Sequence, residues 1–110
     1  MKHIYWNIRG IANSPSKIAL KRLLKAYKRD FCYISEPWMN FNNFPSNWFS
    51  RLNFKLFAVN KRNDLLPNIW CCCSSHIEPV IIHADDQQIS FTVSDSGTEV
   101  GFSVVYASTD

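Results

Sequence analysis

Glycine is scarce in this 110-residue sequence, which has only three, at positions 10, 97 and 101. A Gly-rich phosphate-binding loop and a Gly-x-Ser-x-Gly nucleophile elbow are therefore both absent. No apolar run approaches the ~20 residues of a transmembrane helix, and the N-terminus lacks the apolar stretch of a secretory signal. Because disulfides persist mainly in secreted proteins, the four cysteines are expected to be reduced thiols in an intracellular protein.

Lysine and arginine do not occur after Arg62. All 12 basic residues lie in the first 62 positions beside only two acids, Asp30 and Glu36, whereas the remaining 48 positions hold seven acids. This asymmetry favours an anionic partner for the N-terminal side. The alternative is that the two parts of the chain attract each other or that each is simply solvated.

The first 35 residues have the pattern of a βαβ unit. Alternating apolar residues predict a strand over His3–Arg9, and the start signal Asn13–Ser16 precedes a helix predicted over Lys17–Arg29. The apolar run Phe31–Ser35 predicts a second strand, parallel to the first and next to it. The buried stripe of the helix is predicted to comprise Ile18, Leu20, Leu23, Leu24 and Tyr27.

The rest of the chain is dominated by short apolar and β-branched runs separated by turn signals. Asn40–Leu52 is predicted to be a loop with a helical turn around residues 46–51. Strands are predicted over Lys55–Val59, Asn68–Ser74, Pro79–Ala84, Gln88–Ser94 and Glu99–Ala107. The pattern predicts an α+β fold, with one βαβ entry followed by antiparallel hairpins in a mixed sheet. One helix covers only part of one sheet face, so the other face is expected to need partners outside this chain.

Two polar residues end the first two predicted strands. Asn7 and Glu36 should emerge at the same carboxyl edge of the sheet, where open α/β sheets bind ligands. A carboxylate beside an amide oxygen suits a hard cation such as Mg²⁺. The alternative is that both are ordinary turn residues.

A second possible metal site involves the consecutive residues Cys71–Cys73 and His76. Structural zinc needs two sets of paired ligands, and only one such cluster is present. Alternate strand residues point to opposite faces, so Cys71 and Cys73 should face one way and Cys72 the other. Packing as small buried apolar side chains is the simpler interpretation.

The predicted helix is strongly basic, and an aromatic-rich segment follows the second strand. Lysines of the helix could contact a phosphate backbone, and the aromatics could stack on bases. The alternative is a solvated helix face and an aromatic core. The aromatic residues concerned are Trp38, Phe41, Phe44, Trp48 and Phe49.

Three blocks of the sequence resemble the N-terminal part of the endonuclease/exonuclease/phosphatase family, most closely the endonuclease-like domain of plant LINE-type (non-LTR) retrotransposons. Trp6–Gly10 (WNIRG) resembles the opening strand motif, and Asp30–Pro37 (DFCYISEP) resembles the second strand with its terminal glutamate. Val104–Ser108 (VVYAS) resembles the later strand that ends in a functional tyrosine. The resemblance spans essentially the whole chain.

This resemblance implies a two-sheet DNase I-like fold, a mixed α/β sandwich of which residues 1–110 would be the N-terminal half. It implies a DNA endonuclease that uses Mg²⁺ or Mn²⁺ and acts in the nucleus. Glu36 would ligate the metal together with Asn7, which would also orient the phosphate, and Tyr106 would hydrogen-bond the scissile phosphate. Contacts with nucleic acid would come from Arg9, Lys17, Lys21 and Lys25.

The sequence also departs from the family pattern. A Gly-Asp-Phe-Asn-like motif and a Ser-Asp-His motif are expected after the tyrosine strand, and neither occurs in these 110 residues. The catalytic Asp, Asn and His are therefore missing, and an inactive fragment is expected, with the C-terminal half of the domain as a possible partner. A non-enzymatic nucleic-acid-binding remnant that uses helix 17–29 is the alternative.

Overall fold

Seven strands form two sheets in the computed structural model, which describes residues 1–27, 30–45, 47–60, 62–63 and 65–106. The elements in chain order are β1 (His3–Asn7), α1 (Ser14–Tyr27), β2 (Phe31–Ser35), a 3₁₀ helix (Phe41–Asn43), α2 (Asn47–Ser50), β3 (Phe54–Val59), β4 (Ile69–Ser74), β5 (Val80–Ala84), β6 (Gln88–Asp95) and β7 (Thr98–Val105). Within the described ranges, no helix is long and apolar enough to cross a membrane.

The predicted βαβ unit is present. Strands β1 and β2 pair in parallel, and Asn7 lies opposite Ser35 at the end of the ladder. Helix α1 begins at Ser14, and Asn13 caps it by accepting a 2.8 Å hydrogen bond from the Ser16 N–H. The predicted helix end at Lys28–Arg29 lies outside the described residues.

The buried stripe of α1 is narrower than predicted. Leu20 and Leu24 are buried, whereas Ile18 is 51% exposed. At about 100° per residue, Ile18 lies some 200° around the helix from Leu20, on the opposite side. The prediction for Ile18 was therefore wrong, and the side chain of Tyr27 lies outside the described residues.

The strands divide between two sheets rather than forming one. The first sheet has the order β1-β2-β4-β3, with β4 antiparallel to both neighbours, and the second is the antiparallel sheet β5-β6-β7. The turn that follows Ser74 therefore leads from one sheet to the other instead of closing a hairpin. Because five consecutive residues of β4 are buried, this strand needs cover on both faces and takes a central place.

The first sheet is covered on both faces. On one side, Leu20, Leu24 and Phe49 from the helices pack against Trp70 and other residues of the sheet. On the other side, the second sheet supplies Ile89, Phe91, Val93 and Val104 to a second core cluster. The expectation that this face lacks a partner within the chain was wrong, because β5–β7 form a second layer.

His3 links β1 to the second sheet. Its ring stacks on Phe31 at 4.8 Å and lies 4.6 Å from the ring of Phe102 on β7, between centroids. His3 Nδ1 and Tyr33 Oη are hydrogen-bonded at 2.7 Å. Burial and the nearby positive N-terminus lower the pKa of His3, so the neutral ring fits this aromatic site.

Candidate functional site

Strand ends from both sheets meet around one cleft of about 620 Å³. The carboxyl ends of β2 and β7 reach it, as do the segments before β4 and β6. Because the cleft draws on both sheets, its shape depends on how they pack. The lining residues are Glu36, Trp38, Arg62, Leu65, Leu66, Pro67, Asn68, Asp86, Gln87 and Tyr106.

Asn7 and Glu36 are in direct contact at the edge of this cleft. Asn7 Nδ2 donates a hydrogen bond to Glu36 Oε2, as expected for residues at the ends of neighbouring parallel strands. The bond orients the amide so that Asn7 Oδ1 and Glu36 Oε1 remain as oxygen donors for a ligand. The predicted juxtaposition of these two side chains is therefore present in the structure.

The backbone that carries Glu36 is fixed from two sides. Its N–H donates to the Asn68 carbonyl at 2.9 Å, and its carbonyl accepts from the Gly10 N–H at 2.8 Å. Glu36 has a φ of 52°, in the left-handed region that non-glycine residues rarely adopt. Arg9 and Trp38, with φ of 50° and 54°, share this conformation in the two loops that meet here. Such strain concentrates at functional sites, where surrounding contacts hold it in place.

Tyr106 lies just beyond β7 and lines the same cleft as Glu36. Its N–H donates to the Gln87 carbonyl at 2.8 Å, which ties the end of β7 to the turn before β6. The structure thus brings together Asn7, Glu36 and Tyr106, the three residues predicted to be catalytic. Their chemical roles remain predictions.

The basic residues predicted to contact nucleic acid are divided between two places. Arg9 is exposed in the loop between β1 and α1, close to Glu36 in the fold. Lys17, Lys21 and Lys25 lie along α1 on the outer side of the first sheet and do not line the cleft. Lys17 Nζ lies 5.8 Å from the ring centroid of Phe44, in a cation–π contact. The structure therefore does not join the helix lysines to the Glu36 site.

Sequence reasoning missed Asn60, the buried residue that holds the cleft together. Its Oδ1 accepts hydrogen bonds at 2.9 Å from the N–H groups of Asn68 and Ile69. Its Nδ2 donates to the Asp86 carbonyl at 2.8 Å and to Asn68 Oδ1. Asn60 therefore connects the first sheet to the β5–β6 turn of the second. A polar residue directly after a predicted strand was the available signal, and Glu36 occupies the same kind of position after the strand Phe31–Ser35.

The oxygen donors at this edge suit a hard cation. Mg²⁺ uses one or two carboxylates and keeps several of its waters. Glu36 offers a carboxylate and Asn7 an amide oxygen, and Asp86 places a second carboxylate in the cleft. Across the described ranges, no three His, Cys, Asp or Glu side chains form a ready-made metal cluster. These oxygen donors are therefore of the kind that Mg²⁺ or Mn²⁺ accepts.

The four cysteines are buried and do not converge. Cys72 and Cys32 belong to the helix-side core, whereas Cys71 and Cys73 belong to the core between the sheets. Burial raises the pKa of Cys32 and Cys71 to about 12 and that of Cys73 to about 11. Metal ligation and alkylation both need the thiolate. The predicted alternation of faces along β4 is present, and the arrangement favours packing over zinc binding.

The native thiols are expected to be unreactive. In the folded chain at neutral pH, a thiol reagent such as Ellman's reagent should modify none of the four cysteines within the time that modifies a free thiol, because they are buried and protonated. Addition of denaturant should expose all four. Rapid modification of Cys71 or Cys73 without denaturant would contradict this placement.

The chain is similar in fold to a solved endonuclease domain. Its sequence matches no protein-family model and no curated protein sequence. The structure resembles the endonuclease domain of TRAS1, a telomere-specific non-LTR retrotransposon, with a TM-score of 0.67 and 12% sequence identity. The alignment covers 99% of this chain but 46% of that one, so the chain spans less than half of its length. The predicted fold class is confirmed: the described chain has a partial two-sheet α/β fold of the kind seen in that endonuclease domain.

Proposed function

We propose that this chain supplies part of the active site of a metal-dependent DNA endonuclease. The observation that carries the proposal is that Glu36 and Tyr106 line one cleft and Asn7 contacts Glu36, in a fold similar to an endonuclease domain. The finer assignment, to the endonuclease/exonuclease/phosphatase family and to a plant LINE-type element acting in the nucleus, rests on the sequence blocks WNIRG, DFCYISEP and VVYAS.

Each of the three residues has a role that suits its position. Glu36 would hold the metal through its carboxylate, which accepts a hydrogen bond from Asn7 Nδ2, and the Asn7 amide oxygen would be available to the metal or the phosphate. When bound, Mg²⁺ or Mn²⁺ polarises a phosphoryl oxygen and stabilises the charge that develops on it. Tyr106 enters from the second sheet and donates a hydrogen bond to the scissile phosphate.

We propose that these 110 residues alone do not cleave DNA. They contain neither the Gly-Asp-Phe-Asn-like nor the Ser-Asp-His-like segment that resemblance to the family leads us to expect. Loss of one transition-state donor alone lowers kcat by about 100- to 1,000-fold in a well-studied hydrolase. A partner that supplies those groups, such as the other half of the domain, would complete the site.

Exposed lysines on α1 support a second candidate function. Lys21 and Lys25 stand apart from the cleft and could contact a phosphate backbone without any metal. Binding of this kind would be salt-sensitive, would persist in EDTA and would be lost in the Lys21→Glu/Lys25→Glu variant. Metal-dependent effects at Glu36 would be absent if this were the sole function.

Selective Mn²⁺ binding at Glu36 is the first expectation of the proposal. Paramagnetic Mn²⁺ should broaden the NMR signals of the Asn7 and Asn68 side-chain amides before those of Asn53, which lies at the far end of β3. Glu36→Gln should abolish this selectivity, because the carboxylate charge is lost while the shape is kept. Glu99→Gln, the same change at an exposed position on β7, should leave it intact.

Equal broadening of all three amides, or an unchanged pattern in Glu36→Gln, would contradict the metal site.

A plasmid-nicking assay tests the catalytic part of the proposal. No nicking is expected from the 110-residue chain. A longer domain that also carries the two missing motifs is expected to nick DNA, and Glu36→Ala there should reduce the rate at least about 100-fold. Full activity in that variant would exclude Glu36 as a ligand.

A further inference from the structure

Trp38 is a large aromatic residue that the fold leaves open to solvent at the cleft. It is 60% exposed, follows Glu36 closely in the chain and lines the same cavity. Tryptophan is highly buried on average, so an exposed indole beside a candidate site is informative. The metal and phosphate chemistry proposed for Glu36 and Tyr106 leaves this side chain without a role.

The indole is held in place although it is exposed. A Cβ added at Gly10 would lie 3.1 Å from Trp38 Cε3, closer than an ordinary contact, so one edge of the ring packs closely against the Gly10 backbone. The Ile11 N–H donates to the Pro37 carbonyl at 3.0 Å, which fixes the loop that carries Trp38. Trp38 itself has a φ of 54° in this loop. A rigid aromatic surface loses little conformational freedom when it binds.

The neighbours of Trp38 in the cleft have the chemistry of a base-binding wall. Leu65 and Leu66 are exposed apolar side chains, and Arg62 is anchored by a 2.7 Å hydrogen bond from Nη1 to the Leu66 carbonyl. Single-stranded nucleic acids bind to such combinations of an aromatic face, apolar side chains and arginine.

The other aromatic residues of the 38–49 segment do not share this position. Phe44 and Phe49 are buried in the helix-side core, and Trp48 packs edge-on against both rings. Phe41 is 39% exposed but lines a different, apolar groove. Of the five aromatics considered for stacking from the sequence, Trp38 alone lies in the cleft with Glu36.

We propose that the Trp38 indole stacks on one unstacked nucleobase next to the phosphate that lies at Glu36. The proposal rests on the proposed function for its substrate class, a nucleic acid. It adds that the site takes a base outside a regular duplex stack, so single-stranded or distorted DNA is the preferred ligand.

The test is a fluorescence-anisotropy titration in EDTA with a labelled oligodeoxythymidine of about 10 nucleotides. A second oligonucleotide keeps the same phosphates but carries abasic sites throughout. Wild-type chain should bind the thymidine strand roughly 5- to 150-fold more tightly than the abasic one, the range measured for a stacked base. Trp38→Ala should lose this preference, and Trp38→Phe should keep most of it. Phe41→Ala is the matched control and should behave as wild type.

Tryptophan fluorescence gives a second measurement on the wild-type chain. Stacking should quench the emission of an exposed indole when the thymidine strand is added, and the abasic strand should quench it less. Trp38→Phe should remove that quenching while the emission of the remaining tryptophans is unchanged. Circular dichroism would establish that each variant is folded.

Three results would overturn the proposal: no binding of the thymidine strand, equal affinity for both strands, or an unchanged base preference in Trp38→Ala. Binding that depends on α1 would show equal affinity for both strands and would be lost in Lys21→Glu/Lys25→Glu. The titration needs no metal. A failure of the Mn²⁺ experiment would therefore contradict the endonuclease proposal, and the base preference measured in the titration could still be interpreted.

Discussion

Replacement of Phe91 by alanine is expected to lower the free energy of unfolding by about 3–5 kcal/mol. Phe91 is fully buried between the two sheets. Its ring lies 5.0 Å from Phe57 and 5.6 Å from both Phe31 and Phe102, between centroids. Alanine would leave a cavity at the centre of this aromatic cluster, and the surrounding rings could close it only in part. Urea denaturation followed by circular dichroism measures the loss.

Because small domains are stable by only about 5–15 kcal/mol, Phe91→Ala could unfold the chain outright. Phe91→Leu keeps most of the volume and should lower the stability by a smaller amount, about 1 kcal/mol. Phe41→Ala, at a position 39% exposed, is the control and should cost less than about 1 kcal/mol. Equal losses at positions 41 and 91 would contradict the placement of β5–β7 as the second layer.

Asn60→Ala is expected to cost about 2–4 kcal/mol of stability, a large effect for one polar side chain. Asn60 is 1% exposed, and its amide completes hydrogen bonds with two N–H groups and one carbonyl of the backbone. Alanine would leave these buried groups without partners, which costs more than the net value of the bonds themselves. The measurement is again urea denaturation, with Asn43→Ala as the exposed control.

The same substitution should also loosen the cleft. Asn60 connects Asn68 and Asp86, which line it from different sheets. In Asn60→Ala at a temperature where the chain is still folded, the Mn²⁺-induced broadening of the Asn68 amide should weaken. A loss of stability below about 1 kcal/mol would show that water replaces the asparagine amide easily, and the positioning role would then be wrong.

Local signals were sufficient to predict the βαβ entry and the meeting of Asn7 with Glu36. Period-two alternation defined β1, the Asn13 cap defined the start of α1, and the length of the unit implied parallel neighbours. These features depend on residues close together in sequence. The amino-acid pattern alone therefore placed Asn7 beside Glu36, whereas the approach of Tyr106 depends on the packing of the second sheet.

Features that depend on distant contacts could not be predicted in this way. The turn after Ser74 was visible in the sequence, but the choice of sheet for β5 depends on which faces of β4 need cover. The burial of Asn60 depends on a β5–β6 turn 26 residues away. The position of Trp38 depends on a close approach to Gly10 and on loop conformation, neither of which leaves a periodic pattern.

The left-handed residues Arg9, Glu36 and Trp38 also bear on how copies of this sequence would diverge. The backbone of each residue has a conformation that costs roughly 1–2 kcal/mol more for an L-residue with a side chain than for glycine. In a copy that is selected for folding but no longer for the function of the cleft, glycine should therefore become more frequent at these positions, since that change stabilises the fold. Core positions such as Phe91 would still be retained for as long as the chain must fold. Divergent copies should thus lose the cleft first and the two-layer core afterwards.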